Sequence, residues 1–280
     1  MVYSQNNEDK IIDYIFEKIG TTDKFFVEFG TGPNASECNT RFLREEKGWK
    51  GVMWDLGATD TPDIGLFKER ISKDNIIQLF EKYNVPIDFD FLSIDIDFND
   101  WHIWREIGKV YKPRVVCIEY NFQYSPYDDI VAEYDEEGGP LIRYGKLTSY
   151  SQGSMLAYTR LAHYLGYKLI CSDEKGINLF FIRNDCTDVE ETSIYDVYDT
   201  TFHNRLKLDI MGYPNFKGDV KYTSAKEILG LPDENHMETS KHEYLRWYIP
   251  MRVYDNGRLQ SSVIVNCPPD KLHLGSHSNF

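Results

Sequence analysis

Four short apolar runs in this chain end on residues that can do chemistry. Phe25-Phe26-Val27-Glu28-Phe29 runs into Gly30-Thr31-Gly32, and Gly51-Val52-Met53-Trp54 stops at Asp55. Phe89-Asp90-Phe91-Leu92-Ser93-Ile94 is followed by Asp95-Ile96-Asp97, and Arg114-Val115-Val116-Cys117-Ile118 by Glu119-Tyr120-Asn121. Short apolar runs closed by turn residues read as buried strands. In open α/β sheets, ligands bind outside the carboxyl ends of the strands. The terminal side chains of the four runs are therefore expected to converge there.

The first of these sites is a glycine turn between a strand and a helix, where a missing side chain allows a cofactor to approach the backbone. A dinucleotide fingerprint needs a third glycine close behind, but Pro33, Asn34, Ala35 and Ser36 follow here, so no close grip on a pyrophosphate is implied. That turns the expectation from a nicotinamide dinucleotide towards S-adenosylmethionine, whose amino-acid end needs less anion binding. Asp55, roughly 20 residues past the glycines, is placed to accept hydrogen bonds from both hydroxyls of a ribose. The competing reading is a glycine turn and a solvated acid without a ligand.

Asp95, Glu119 and Asn121 together could hold Mg²⁺ or Mn²⁺, hard cations that take carboxylate and amide oxygens. An ion so placed would orient an acceptor hydroxyl and lower its pKa. The alternative is that one or two of these residues bind cofactor or cap helices. His102, just past Asp97-Phe98-Asn99-Asp100, could serve as a general base near neutral pH, although its setting among Trp101, Ile103 and Trp104 equally suits a packed or surface histidine. His163, His203, His236, His242, His273 and His277 show no metal-ligand spacing, and no P-loop, nucleophile elbow or HExxH occurs.

These side chains need a scaffold, and the spacing of apolar residues supplies one. Ile11, Ile12, Ile15, Phe16 and Ile19 recur at helical intervals before Gly20, which predicts an opening helix over 8–19. Helical stretches are expected at about 36–47, 73–83, 101–111 and 154–165, alternating with the strands. Tyr167 to Cys171 and Ile177 to Ile182, joined by a short turn, predict an antiparallel hairpin at the sheet edge. Strands and helices in alternation specify a mostly parallel α/β sheet with helices on both faces. Residues 123–146 are polar, acidic and too long for an ordinary connection, and read as a lid or as a disordered insertion.

At 280 residues and 41% hydrophobic content the chain can bury a substantial core, which argues against disorder. A net charge of -14 repels phosphate backbones and anionic lipid heads, so neither nucleic acid nor a membrane surface is an expected partner. No run of about 18 apolar residues and no signal-like amino terminus is found, so a cytoplasmic location is expected. The 5 cysteines form no CxxC pair, and neither a disulfide framework nor a zinc site is indicated. Residues 186–280 differ in texture, with scattered aromatics and Pro- or Gly-containing breaks, and only 224–229 predicts a helix. We divide the chain into a catalytic unit over 1–185 and a carboxyl-terminal extension of unassigned role, which could join homo-oligomers.

In order along the chain, Ser4-Gln5-Asn6-Asn7-Glu8-Asp9, Phe26-Val27-Glu28-Phe29-Gly30, Asn39-Thr40, Gly48-Trp49-Lys50-Gly51-Val52, Leu92-Ser93-Ile94-Asp95-Ile96-Asp97 and Val116-Cys117-Ile118-Glu119-Tyr120-Asn121 resemble the FkbM-like branch of class I S-adenosylmethionine-dependent methyltransferases. The resemblance extends from about Tyr3 to Cys186 and implies a Rossmann-like fold, a seven-stranded sheet with its last strand antiparallel. It also implies methylation of a small-molecule or glycan hydroxyl. By similarity, Glu28, Gly30 and Gly32 fall at the cofactor's amino-acid end and Asp55 at its ribose. The family usually has glycine after Asp-x-Asp, where this chain has Phe98, so a narrower or reshaped acceptor pocket is expected. Related metal-dependent catechol-type enzymes place a Lys or His base at about that position. Phe98 cannot take a proton, which leaves Asp97 or His102 as the catalytic base, unless a metal makes one unnecessary. A sugar acceptor would suit the aromatic surroundings of Trp101, Trp104, Tyr120, Tyr124 and Tyr127. The alternative function is a non-catalytic binding or assembly module that keeps the fold.

Overall fold

Each long strand sends alternate side chains to opposite faces of one sheet, and the sequence is apolar on both. Phe26, Met53, Phe91, Cys117 and Phe180 lie in the core on one side, while Val27, Trp54, Leu92, Ile118 and Phe181 lie in the core on the other. A sheet buried on both faces needs helices on both, and this is why the strands read as continuous apolar runs rather than alternating ones. The computed structural model describes residues 3–122, 124, 126–139, 151–198, 222–231, 253–255 and 258–261.

Helix α1 (Glu8–Ile19) buries Ile12, Ile15 and Phe16 and stops at Gly20, whose φ of 68° a side chain would resist. Then come β1 (Phe25–Phe29), α2 (Arg41–Glu46), β2 (Lys50–Asp55), β3 (Leu66–Lys68), α3 (Ile76–Lys82), β4 (Phe91–Ile94), α4 (Asp100–Ile107) and β5 (Val115–Glu119). After a short β6 (Val131–Ala132), helix α5 (Met155–Leu165) is capped by the Ser154 hydroxyl, which accepts from Ala157 N, and leads to β7 (Tyr167–Ser172) and β8 (Asn178–Arg183).

The sheet has seven strands in the order β3-β2-β1-β4-β5-β8-β7. The neighbours from β3 to β5 are parallel, and β8 runs antiparallel to both β5 and β7. This is the expected mostly parallel Rossmann-like sheet with its last strand antiparallel. The hairpin occupies the edge as predicted, but its second strand is the inner one. Strand order reverses between β1 and β4, and that switch point is where open α/β sheets form their ligand crevice.

The amino edge of the sheet is tied by a buried carboxylate. Asp90 accepts from the main-chain N–H groups of Thr22, Asp23 and Lys24 and pairs with the Arg114 guanidinium at 2.8 Å, which in turn donates to the carbonyls of Ile19 and Gly20. The end of α1 is thereby fixed to β4 and β5.

The part of the carboxyl-terminal region within the described residues packs on the same body. Lys168 donates to the carbonyls of Thr187 and Val189, Glu191 accepts from Leu169 N, and Ile194, Val197 and Tyr198 enter the core. Strand β9 (Tyr222–Thr223) pairs with β6, and α6 (Ala225–Leu229) begins on the carboxylate of Asp129. A separate hairpin pairs β10 (Val253–Asp255) with β11 (Arg258–Ser261). Cys38 and Cys117 are buried and Cys171 and Cys186 half-buried, all as free thiols. Cys267, His203, His236, His242, His273 and His277 lie outside the described residues. Among the described residues no helix is long and apolar enough to cross a membrane.

Candidate active site at the carboxyl ends of β1, β2, β4 and β5

The glycine turn is set by two different constraints. Gly30 has φ 69°, and a β-carbon there would lie 1.5 Å from the Asp95 carbonyl oxygen, so only glycine allows the ends of β1 and β4 to meet. Gly32 also has φ 69°, but its missing β-carbon would meet nothing within 4 Å, so that position demands a left-handed backbone and leaves open space above it. Asp55 clasps the turn: its Oδ2 accepts from Gly32 N at 2.9 Å and its Oδ1 from Gly57 N at 2.7 Å.

Glu28 is buried beneath this turn. It accepts from Asn39 N at 2.7 Å, from Thr40 N at 2.9 Å and from the Thr40 hydroxyl. Burial pushes its carboxyl above the ordinary range, against the pull of these donors. Asn39 in turn donates to the Ser93 hydroxyl on β4 at 3.0 Å. This capture explains why α2 starts at Arg41 rather than near Ser36: residues 33–40 are held as a loop by Glu28. A cavity of about 250 Å³ opens above, lined by Glu28, Gly30, Thr31, Gly32, Asn39 and Asp95, with Gln5, Glu8 and Asn178 also on its wall.

The acidic side of the site is built around Asp95. It is half-buried and pushed up to about 7, by burial first and by the charge of Asp97 second. Asp97 is exposed just past β4 in a left-handed backbone conformation, φ 67°, and partial desolvation and the charge of Asp55 both raise it. Glu119 is raised well above its ordinary value by burial and by Asp95, Asp100 and Asp97, and the Gln152 amide donates to its Oε2.

Asp100, which the sequence reading did not single out, joins this group. It has no exposed surface, its Oδ1 accepts from Ile96 N at 2.8 Å, and burial followed by the Asp95 charge raises it well above the ordinary range. One oxygen from each of Asp95, Asp100 and Glu119 lies within 4.8 Å of the others. An aspartate opening a helix is an ordinary N-terminal residue in sequence. Only the return of α4 across the strand ends brings it here. Asn121 is buried, and its amide donates to the Ser151 carbonyl at 3.2 Å.

Two other expectations meet different surroundings. His102 donates from Nε2 to the Ala132 carbonyl at 2.8 Å, and burial holds its pKa below the ordinary histidine value. It lines a second cavity, of about 540 Å³, with Lys73, Arg105 and Tyr134, which shares no lining residue with the one above the glycine turn. Trp101 and Trp104 have no exposed surface and Tyr120 only 2%, so these rings are core and offer no face to a sugar. Half-buried Tyr124 and exposed Tyr127 are the remaining aromatics of that set. Phe98 is itself buried, and a β-carbon on Gly139 would lie 2.4 Å from its ring, so the described part of the acidic loop packs directly on it. Asn99 holds that loop through two hydrogen bonds to the Asp135 main chain.

No family model and no curated protein matches this chain. Among solved structures it is similar to an O-methyltransferase family protein from Burkholderia thailandensis, at 9% identity and a TM-score of 0.35, over 63% of this chain and 57% of that one. It is also similar to a SAM dependent methyltransferase from Aquifex aeolicus, at 11% identity and a TM-score of 0.31, over 61% of this chain and 87% of that one. A third, TnmH, is 13% identical with a TM-score of 0.32, over 56% of this chain and 49% of that one. The chain thus spans 57% and 49% of the lengths of the first two structures it matches.

Proposed function

We propose that this chain is an S-adenosylmethionine-dependent O-methyltransferase. The observation that carries the reading is the open left-handed turn at Gly32, clasped by Asp55 at the sheet's switch point and lining a cavity together with Glu28, Asn39 and Asp95. The cofactor's amino-acid end would lie over Thr31 and Gly32. Its ribose hydroxyls would donate to Asp55, whose oxygens each keep a free lone pair beside the main-chain bonds they accept. Glu28 acts by holding residues 39 and 40, the first of which lines that cavity.

Bound S-adenosylmethionine would supply an electrophilic sulfonium methyl with the neutral thioether S-adenosylhomocysteine as leaving group, and the site's residues would hold an acceptor hydroxyl in line with it. The hydroxyl proton needs an acceptor. Asp97 is the residue we assign to it, because it stands exposed just past the end of β4 within reach of the charge of Asp55, whereas His102 lines the other cavity. Most of the acceleration would come from holding the two reactants in line. The acceptor class we favour is a sugar or small-molecule hydroxyl, on the sequence resemblance, with Tyr124 and Tyr127 the aromatics left to face it.

Calorimetric titration with S-adenosylhomocysteine tests the reading. Binding that is lost in Asp55→Ala supports it. No heat at millimolar ligand sinks it and favours the alternative of a binding module on the same fold.

A further inference from the structure

The cavity above the glycine turn is one-sided in charge. Among the described residues that line it, Glu8, Glu28, Glu37 and Asp95 are acids and none is Lys, Arg or His. Glu37 is exposed, whereas Glu8 and Glu28 are buried. Among the described residues Glu8, Glu28 and Asp95 form no ion pair. Glu8 is held by neutral donors instead: Oε2 accepts from Asn6 N at 2.7 Å, and Oε1 from the Asn6 amide at 3.0 Å and the Asn178 amide at 3.1 Å.

A second observation comes from β8. Asn178, also on the cavity wall, is only 5% exposed, and its side-chain carbonyl Oδ1 accepts from nothing. An ionised carboxylate can only accept, so Glu8 claims the NH₂ of Asn178 and leaves the carbonyl over. A buried carbonyl without a donor carries a desolvation penalty that a donor from a ligand removes. The inner wall therefore offers carboxylates and an open carbonyl, all of them acceptors, and asks for a donor that carries positive charge. The neutral donors of the same cavity, Gln5, Asn34 and Ser36, are exposed.

We propose that this cavity recognises its ligand through an ammonium group, seated against Glu8 and Asn178 Oδ1, and leaves the ligand's carboxylate at the exposed end without a cation to pair with. The inference rests on the methyl-transfer reading and deepens it. The amino-acid end of S-adenosylmethionine carries both an ammonium and a carboxylate, and among the described lining residues only the ammonium finds charge of the opposite sign. Glu28, engaged by residues 39 and 40, adds to the field without touching the ligand. The opening segment and β8 thereby become the specificity elements for the end of the cofactor that the glycine turn itself does not read. The same wall admits a cofactor without its carboxylate, the decarboxylated sulfonium, because no described group loses a partner and a like-charge contact with the acids disappears.

Calorimetric titration of the full chain with a series of adenosine thioethers tests the proposal. The series is S-adenosylhomocysteine, its 3-aminopropyl and 3-carboxypropyl analogues, which each keep one of the two charged groups, and 5′-methylthioadenosine, which keeps neither. The aminopropyl thioether should bind within about threefold of S-adenosylhomocysteine or more tightly. The carboxypropyl thioether should bind at least about tenfold more weakly than the aminopropyl one, the loss of one charge-assisted hydrogen bond. This comparison is made on the wild type and needs no variant to fold. Glu8→Gln should shrink the difference between the two analogues to less than about threefold while affinity for 5′-methylthioadenosine stays within about twofold, a pattern that general damage to the fold does not produce. A carboxypropyl thioether that binds as tightly as the aminopropyl one overturns the ammonium seat, as does 5′-methylthioadenosine binding as tightly as S-adenosylhomocysteine. In both cases the nucleoside still binds and the methyl-transfer reading stands. Binding of none of the series overturns both.

Discussion

The carbonyl oxygen of Asp95 occupies the space in which a β-carbon on Gly30 would stand, 1.5 Å from its ideal position. The glycine turn after β1 and the first residue of the acidic group are therefore in backbone contact. Gly30→Ala must push β1 and β4 apart and also force alanine to φ 69°. Gly32→Ala carries only the second cost, about 1–2 kcal/mol. Urea melts should show the Gly30 variant destabilised by more than the Gly32 variant, by at least about 2 kcal/mol. Equal losses would mean that β4 yields freely at Asp95.

Glu28 is expected to act through the loop it holds. Glu28→Gln keeps the shape but turns an amide towards one of the N–H groups of Asn39 and Thr40, a loss of about 1–3 kcal/mol. Hydrogen exchange at the amides of residues 39 and 40 should speed up, together with weaker S-adenosylhomocysteine binding. Weaker binding with unchanged exchange would instead make Glu28 a direct ligand.

Much of this arrangement is legible in the chain itself. Periodicity places α1 at Glu8–Ile19 and β1 at Phe25–Phe29, because both are bounded by glycines or charges and buried on defined faces. It misses β3, whose Leu66–Lys68 is too short to show a period, and starts α2 too early, because the capture of residues 39 and 40 by Glu28 is a contact between distant segments. Trp101 and Trp104 look like ligand-facing aromatics beside the acidic turn, yet α4 turns them into the core. Asp100 is invisible for the opposite reason: its role arises from where the helix begins in space.

The Asp90–Arg114 pair should contribute stability at neutral pH that is lost in acid. Burial raises Asp90, but the Arg114 guanidinium and the N–H groups of Thr22 and Lys24 outweigh it and leave the carboxyl below its ordinary value. A folded value below the unfolded one, about 3.9, means a contribution fully present above that pH and lost as pH falls through the lower folded value. At neutral pH Asp90→Asn should cost about 3–5 kcal/mol, because it strands a mostly buried Arg114. Below pH of about 4 the gap to the wild type should narrow in thermal melts. A gap constant down to pH of about 2 would show that the charge on Asp90 contributes nothing.

Asp97 separates a chemical role from a structural one, because its backbone is already left-handed at φ 67° and its side chain is exposed. Asp97→Gly relieves the strain of that conformation but loosens the unfolded chain, two effects of about 1 kcal/mol that oppose each other. Stability should therefore change by less than about 1 kcal/mol in urea melts. If Asp97 receives the acceptor's proton, methyl transfer to a hydroxyl substrate should fall by about 10²–10⁴-fold while S-adenosylhomocysteine affinity stays within about twofold. Asp97→Asn should lose the same activity, since an amide cannot take the proton at neutral pH. A Gly variant that is stable and still active would move the base elsewhere, with His102→Gln the next variant to assay. Loss of cofactor affinity in step with activity would make Asp97 a partner of Asp55 in holding the nucleoside.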